Sequence, residues 1–440
     1  METKFLIDKC SLIPSEGSSL KENYDIVRGN PMIDYYESIE SPSIAMTISF
    51  FDTDQVITRE GITGGEYVDV SVKIDGFDDF KIKSKKHKLM LNSVRNVTTE
   101  TNKQMATLEF LSVEAIINET ARVNKRFDDN VSQTVFELLI GDKKGIRSSK
   151  KLEKDRATNK YTFIGNLKRP FDTIQWLCPK TQSSKKSFGF VFFETLDGFN
   201  FKSIEKLLDQ KPAYTYTRTD KPYDEKVGPF KILHNNMNQT NDIAMNMRMG
   251  MYANKTIYID IENQTKSIVD FKLSDLNPKK PVKLLNGIEE YPTRLMLRVN
   301  DFGVQQKGSK KKDVQKLNDL AIYQNKSYIR NNLLFSQSLS ISIPLNTTLR
   351  AGFALDIRLP LKQENGDAAV DSYGNERSND PSGRYLIAEL RHLIGGGQSE
   401  TQLKLIRDVF TVDKTGITDT GELIRADNRQ YGNTWPAGSR

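Results

Sequence analysis

Gly65-Glu66-Tyr67-Val68-Asp69-Val70-Ser71-Val72 returns later in the chain as Gly352-Phe353-Ala354-Leu355-Asp356-Ile357-Arg358-Leu359, an offset of 287 from 65 to 352. In both stretches apolar residues alternate with polar ones, the period of a strand with one buried face. Two further matches follow in the same order. Val94-Arg95-Asn96-Val97 matches Leu390-Arg391-His392-Leu393, offset 296, and Leu108-Glu109-Phe110 matches Leu403-Lys404-Leu405, offset 295. The change of offset falls where the second stretch carries the polar loop Lys362 to Arg384. Alternating strands resemble one another by chance, but a shared order and a nearly constant offset predict two copies of one β-unit with other material inserted between them. His392 falls within a strand of this repeat at the place of Asn96, which predicts a structural histidine.

Outward from these matches, Ile44, Met46, Ile48 and Phe50 alternate with Ala45, Thr47 and Ser49, and two strands are expected over Leu89 to Val97 and Met105 to Val113, joined by a turn at Thr98 to Lys103. From Ala115 the pattern changes. Val131, Val135, Leu138 and Leu139 predict a helix capped by Asn130 and stopped at Gly141; Pro170 to Cys178 predicts another, with Pro at its first position. Asp142 to Lys160 reads as a charged loop. Phe188 to Leu196 and Phe199 to Ile204 flank Asp197-Gly198 as a hairpin. Further on, Asp313 to Tyr323 has helical spacing, Met245, Met247, Met249 and Met251 read as core packing on a short element, and strand alternation resumes at Leu339, Ile341 and Ile343.

The chain has 440 residues, with 64 Lys+Arg against 57 Asp+Glu, a formal charge of +7. No run approaches the ~18 apolar residues of a spanning helix, and Met1 to Lys9 is broken by charge before a signal-peptide core can form. With 22 Phe and 16 Tyr, wholesale disorder is not expected. Cys10 and Cys178 give no disulfide framework, and His87, His234 and His392 lie far apart with no metal-ligand spacing. No nucleophile elbow, Walker loop or dinucleotide fingerprint occurs, and Gly395-Gly396-Gly397 lacks the following Lys-Ser/Thr. The expectation is a chain with no catalytic, cofactor-binding or metal-binding residues and no cofactor, and therefore not an enzyme. A glycan hydrolase would need two carboxylates ~5–9 Å apart in a cleft.

One motif offers an alternative. Lys186-Ser187-Phe188-Gly189-Phe190-Val191-Phe192-Phe193 departs only at Ser187 from the longer RNP motif of RNA-recognition domains, and Phe163 to Leu167 resembles the shorter one. Aromatics on such a sheet stack bases, so the alternative reading is an RNA- or single-strand-binding protein using Phe188 to Phe193. Spacing opposes it: the predicted helix fills half of positions 168 to 185, leaving no room for the second strand of that fold.

Between Asn30 and Phe410 the chain resembles the baseplate hub proteins of contractile-tailed bacteriophages. The resemblance rests on Asn30-Pro31, Tyr35-Tyr36-Glu37-Ser38-Ile39-Glu40, Ser43 to Thr47, Asp52-Thr53-Asp54 and Arg59 to Tyr67. It continues through Pro170 to Leu177, Phe192 to Ile204, Tyr385 to His392 and Leu403 to Asp408. It implies an α+β, mainly β chain with two tube-like antiparallel β-barrel domains, which we place over 1–114 and over 227–262 and 336–412, with an inserted α+β domain over 115–226 and a second inserted domain over 263–335; the polar, turn-rich tail over 413–440 lies outside the resemblance. It also implies a homotrimer in the virion's tail baseplate, assembled in the host cytoplasm. Such a trimer adapts a sixfold tail tube to a threefold central spike. The partners implied are the spike, tail tube or tube-initiator proteins, the tape measure protein and neighbouring wedge proteins, with genome DNA passing through unrecognised and no membrane contact. The basic tracts Lys81 to Lys88, Lys143 to Arg156, Lys185-Lys186, Lys279-Lys280 and Lys310-Lys311-Lys312 are then expected on solvated outer loops, away from a DNA-conducting bore.

Overall fold

The computed structural model describes residues 4–75, 77–100, 103–141, 145–185, 187–218, 230–239, 242–261, 264–276, 290–299, 305–306, 314–359 and 382–408. The first alternating region forms β1 (Phe5–Ile13), β2 (Tyr24–Asp25), β3 (Met32–Ser38), β4 (Ala45–Asp52), β5 (Tyr67–Ile74), β6 (Phe80–Ile82), β7 (Leu89–Glu100) and β8 (Lys103–Ser112). The C-terminal one forms Gln337–Pro344, Ala354–Arg358, Gly383–Gly395 and Gln398–Arg407. All join one 14-stranded sheet, whose main path runs His234–Gln239, Gln337–Pro344, Gln398–Arg407, Gly383–Gly395, β3, β4, β8, β7, β5, β1, β2. The fold is α+β and mainly β, with large antiparallel sheets. Among the described residues its strands close no barrel; the two units meet edge to edge where β3 pairs with Gly383–Gly395.

The repeat read from the sequence is a repeat of pairing. β3, β4, β8, β7 and β5 are successive neighbours, as are His234–Gln239, Gln337–Pro344, Gln398–Arg407, Gly383–Gly395 and Ala354–Arg358. Inward side chains correspond: Met46, Ile48 and Phe50 with Leu339, Ile341 and Ile343; Leu108 and Phe110 with Leu403 and Leu405; Val68 and Val70 with Leu355 and Ile357. All are buried in one shared core. Each unit also has a β-bulge at the same step, between Leu91 and Ser93 in one and Ile387 and Glu389 in the other.

Between the units lie smaller sheets. Leu152–Lys154, Gly198–Ser203 and Phe190–Thr195 form one, and Gln305–Gln306, Lys160–Ile164 and Arg126–Asn130 another. Their core includes Val135, Leu138, Phe163, Phe171, Ile174, Phe192, Phe199 and Phe201. Asn130 caps its helix as expected, accepting from the Ser132 amide at 2.9 Å. The hairpin turn sits one residue earlier than its Asp-Gly signal: Thr195 pairs with Gly198, so Leu196-Asp197 is the loop. Gly198 has φ +130°, and a Cβ there would stand 2.3 Å from the Lys151 carbonyl. A third small sheet, Thr265–Lys272, Ala253–Asp260 and Arg294–Val299, shares a core with the helix Val314–Leu334 through Phe271, Ile329 and Leu333. Met251 is buried in that core, Met247 and Met249 pack against it, and Met245 is exposed. The helix outruns the apolar pattern that ends at Tyr323 because its next turns bury polar groups: Asn325 Nδ2 donates to Asn254 Oδ1 and Thr256 Oγ1, and Ser327 Oγ accepts from the Gly189 amide.

Candidate functional site

The side chains of the large sheet that point away from its core make one face spanning both units, with hydroxyl and charged side chains and, on the first unit, the exposed pair Phe51 and Met105. The alternation that buries Ile48 and Leu403 forces Thr47, Ser49, Gln402 and Lys404 onto the opposite side. A hollow of about 540 Å³ lies on this face across the junction, with Tyr36, Ser38, Ser340, Ser342, Arg391 and Lys404 among its lining. Its ionic groups are matched within the face. Arg391 lies 2.9 Å from Asp34, Lys404 2.5 Å from Glu389, and Arg95 3.0 Å from Glu109. Ser93 donates to Glu109 at 2.7 Å, and the Ser49 and Thr107 hydroxyls lie 3.0 Å apart. Such a surface presents hydroxyls and locally neutralised charge instead of a column of cations.

A second constellation fastens the inserted region to the sheet. Glu37, on the core side of β3, accepts from Tyr35 Oη at 2.7 Å and from the Leu196 and Ala351 amides at 2.8 Å each. One carboxylate thus joins the first unit, the aromatic hairpin and the second unit. Burial raises the Glu37 pKa, opposed by the Arg350 guanidinium and by both amides. Nearby, Lys150 Nζ lies 2.7 Å from Glu114 and 2.5 Å from Glu194, all three side chains deeply buried, and Glu194 also accepts from the Ile44 amide. Burial acts to lower the Lys150 pKa and is outweighed by the two carboxylates, so it is raised. Burial raises Glu194, with Lys150 opposing. Further along, Arg330 of the long helix bonds Glu205 and Asp408.

Lys150 corrects two expectations. It belongs to the tract read as solvated, yet its side chain is buried, and the segment read as a loop contains Leu152–Lys154 with Ile146 and Ala157 in the core. Buried Ile146 and Ser148 were the available signal: they alternate inward with exposed Arg147 and Ser149. Lys85 and Lys185 are exposed outside the strands, as expected of loop lysines, whereas Lys81 is exposed on β6 rather than on a loop. Lys186, Lys279-Lys280, Lys310-Lys311-Lys312 and most of the Lys362 to Arg384 loop lie outside the described residues.

The RNA-binding alternative loses its platform. Phe190, Phe192 and Phe193 are buried, Phe192 stacked on Phe199 with ring centroids 5.8 Å apart, so none is free to receive a base. His392 is also interior, stacked 5.9 Å from Tyr35 with Nδ1 2.9 Å from Thr401 Oγ1, and burial lowers its pKa to about 3. Burial pushes the thiols of Cys10 and Cys178 up to about 12. Among the described residues no three His, Cys, Asp or Glu side chains are grouped to hold a metal. Glu114 and Glu194 share one ammonium in the interior rather than facing a cleft.

No protein-family model matches the chain, and no curated protein matches it. Solved structures do. A 43 kDa tail protein of prophage MuSo2 from Shewanella oneidensis aligns over 91% of this chain and 98% of its own, at 9% identity and a TM-score of 0.52. The fold is that of a phage tail protein. A tail protein from Neisseria meningitidis MC58 aligns over 92% of this chain and 97% of its own, at 11% identity and a TM-score of 0.49.

Proposed function

We propose that this chain is a structural baseplate hub subunit of a contractile phage tail. In this reading three copies form a ring of six β-units, matching the sixfold tail tube on one side and the threefold spike on the other. Its neighbours would be the spike, tail tube or tube-initiator proteins, the tape measure protein and wedge proteins. The ring would border the channel for the genome, within the virion's tail baseplate and without catalysis or a cofactor. The proposed division is a first β-unit over 1–114, a second over 227–262 and 336–412, insertions over 115–226 and 263–335, and a tail over 413–440, with two exceptions at its borders: Tyr214–Thr217 pairs into the second unit, and Ala253–Asp260 belongs to the sheet of the second insertion.

One observation carries the reading: two units with the same strand neighbours and the same bulge are joined edge to edge into one continuous sheet. A chain that doubles one unit is what a threefold assembly needs to meet a sixfold one. Paired charge on the face away from the core suits a bore through which phosphate passes without sticking. Mass photometry and electron-microscopic class averages test it. The expected result is a trimer with an annular, pseudo-sixfold projection; a monomer throughout the micromolar range, with no ring, would overturn it.

A further inference from the structure

The internal junction gives a template for a contact between chains. Gly383–Gly395 serves two partners in succession: Gly383 to Leu386 pairs with Ala354–Arg358, and beyond the bulge Glu389 to Ile394 pairs with β3. Its counterpart β7 is used only by half. Before the bulge β7 closes on the start of β5, through Tyr67 opposite Met90 and the Gly65 amide donating to the Leu91 carbonyl at 2.9 Å. Beyond the bulge, Ser93 to Glu100 pairs with β8 on one side and, among the described residues, with no strand on the other. The counterpart of β3 is His234–Gln239, which pairs with Gln337–Pro344 and, among the described residues, ends the sheet. The two open edges are therefore the mates of the two edges that already join inside the chain. Open edges leave backbone donors and acceptors that a further strand satisfies.

We infer that His234–Gln239 of one copy adds antiparallel to the Ser93–Glu100 part of β7 in a second copy, reproducing between chains the junction of β3 with Gly383–Gly395. The occupant of each edge is this chain itself, and the inference rests on the homotrimer reading above. The same step then relates first unit to second and second unit to the first unit of the next chain, and a ring of six such units, as the homotrimer reading requires, closes after three copies. Register follows from shared partners. Asp34 lies opposite Thr47, itself opposite Glu109; Asn236 lies opposite Ser340, itself opposite Lys404. Asn236 thus stands where Asp34 stands. Asp34 faces Leu393, whose counterpart is Val97 by offset, or Thr98 when counted through the extra residue that β7 carries between Arg95 and Thr98. Arg95 occupies the place of Arg391, which reaches Asp34 across the internal junction.

Cysteine pairs test this on the full chain, with Cys10 and Cys178 buried and silent. Asn236→Cys is combined with Val97→Cys in one variant and with Thr98→Cys in another. Each is oxidised with copper-phenanthroline and run on a non-reducing gel beside the single variants. Mass photometry of the wild type and of each unoxidised variant runs in parallel. The expected result is a reducible dimer-to-trimer ladder in at least one double variant and in no single one. A trimeric protein in which neither pair cross-links would overturn the inferred edge and leave the hub reading standing. A wild type that never assembles would overturn both.

Discussion

The two β-units share an interior and differ at their borders. Five strands with the same neighbours, a common bulge and matched inward side chains recur in each. Around them the chain diverges. β5 is flanked antiparallel by β1 and β6, whereas Ala354–Arg358 is flanked in parallel by Tyr214–Thr217. Asn96 has φ +50° in a second bulge on an exposed edge, while its counterpart His392 is buried against Tyr35. A core restricts what a duplicated unit can change, because inward volume and register are coupled. Edges carry no such restriction, and each unit has been given a different set of neighbours there.

The largest expected effect lies where only the first unit is fastened. Lys150→Ala leaves Glu114 and Glu194 buried without their cation, and Glu194 also holds the amide of Ile44 next to β4. Breaking a buried ion pair by removing one partner costs about 3–5 kcal/mol. Urea denaturation should show that loss; a loss under ~1 kcal/mol would mean the network does not anchor the insertion. The counterpart of this end of β4 is Gln337, held instead by Arg407 at 2.8 Å, so the asymmetry is local.

Equivalence of the interiors predicts paired costs. Leu108→Ala and Leu403→Ala each remove a buried leucine from the shared core, and each should lose about 2–5 kcal/mol. Values within ~1 kcal/mol of one another support equivalent packing, and a large disparity would break the comparison at its centre.

Acid should act more on the second unit. Burial holds His392 neutral, its folded pKa about 3 against an ordinary 6.5. The unfolded chain therefore binds the proton first, so this contribution is intact above pH 6.5 and is lost as pH falls toward 3. His392→Asn, which installs the first unit's residue, should flatten the stability profile between pH 6.5 and 4. The difference is on the order of a few kcal/mol. A residual slope is expected from His87, lowered to about 4 by burial and by Lys86. Equal slopes in wild type and variant would show that His392 does not titrate across folding.

Much of this was legible from alternation and offset, which report the inward face of a strand directly. The duplicated unit and the interior place of His392 were readable that way, and the Asn130 cap and the Pro170 helix from helical spacing and terminus signals. The bulges were not, because one extra residue barely disturbs a pattern of period two. The carboxylate junction was not either: Glu37 and Glu194 stand far apart in sequence and Lys150 is one lysine within a charged tract, and only the fold brings them together. Polar side chains buried on one helix face, as at Asn325 and Ser327, hid the length of Val314–Leu334 for the same reason.

The smallest effect is the most discriminating between the two borders. Arg391 and Arg95 are counterparts, one in a junction already made and the other on an open edge. Arg391 and Asp34 are 36% and 11% exposed, with Arg391 also over the Tyr36 ring at 5.6 Å; Arg95 and Glu109 are 63% and 29% exposed. Exposed ion pairs contribute about 0–1 kcal/mol and less with salt. Arg391→Ala should therefore cost the fold up to about 1 kcal/mol, and Arg95→Ala almost nothing in urea denaturation. If Arg95 meets Asn236 of a second copy, its removal should instead weaken assembly, raising the protein concentration at which trimers appear in mass photometry. An Arg95→Ala variant that destabilises the fold as much as Arg391→Ala, while assembling like wild type, would place β7's edge inside the monomer's own stability. The comparison between an occupied and a waiting edge would then fail.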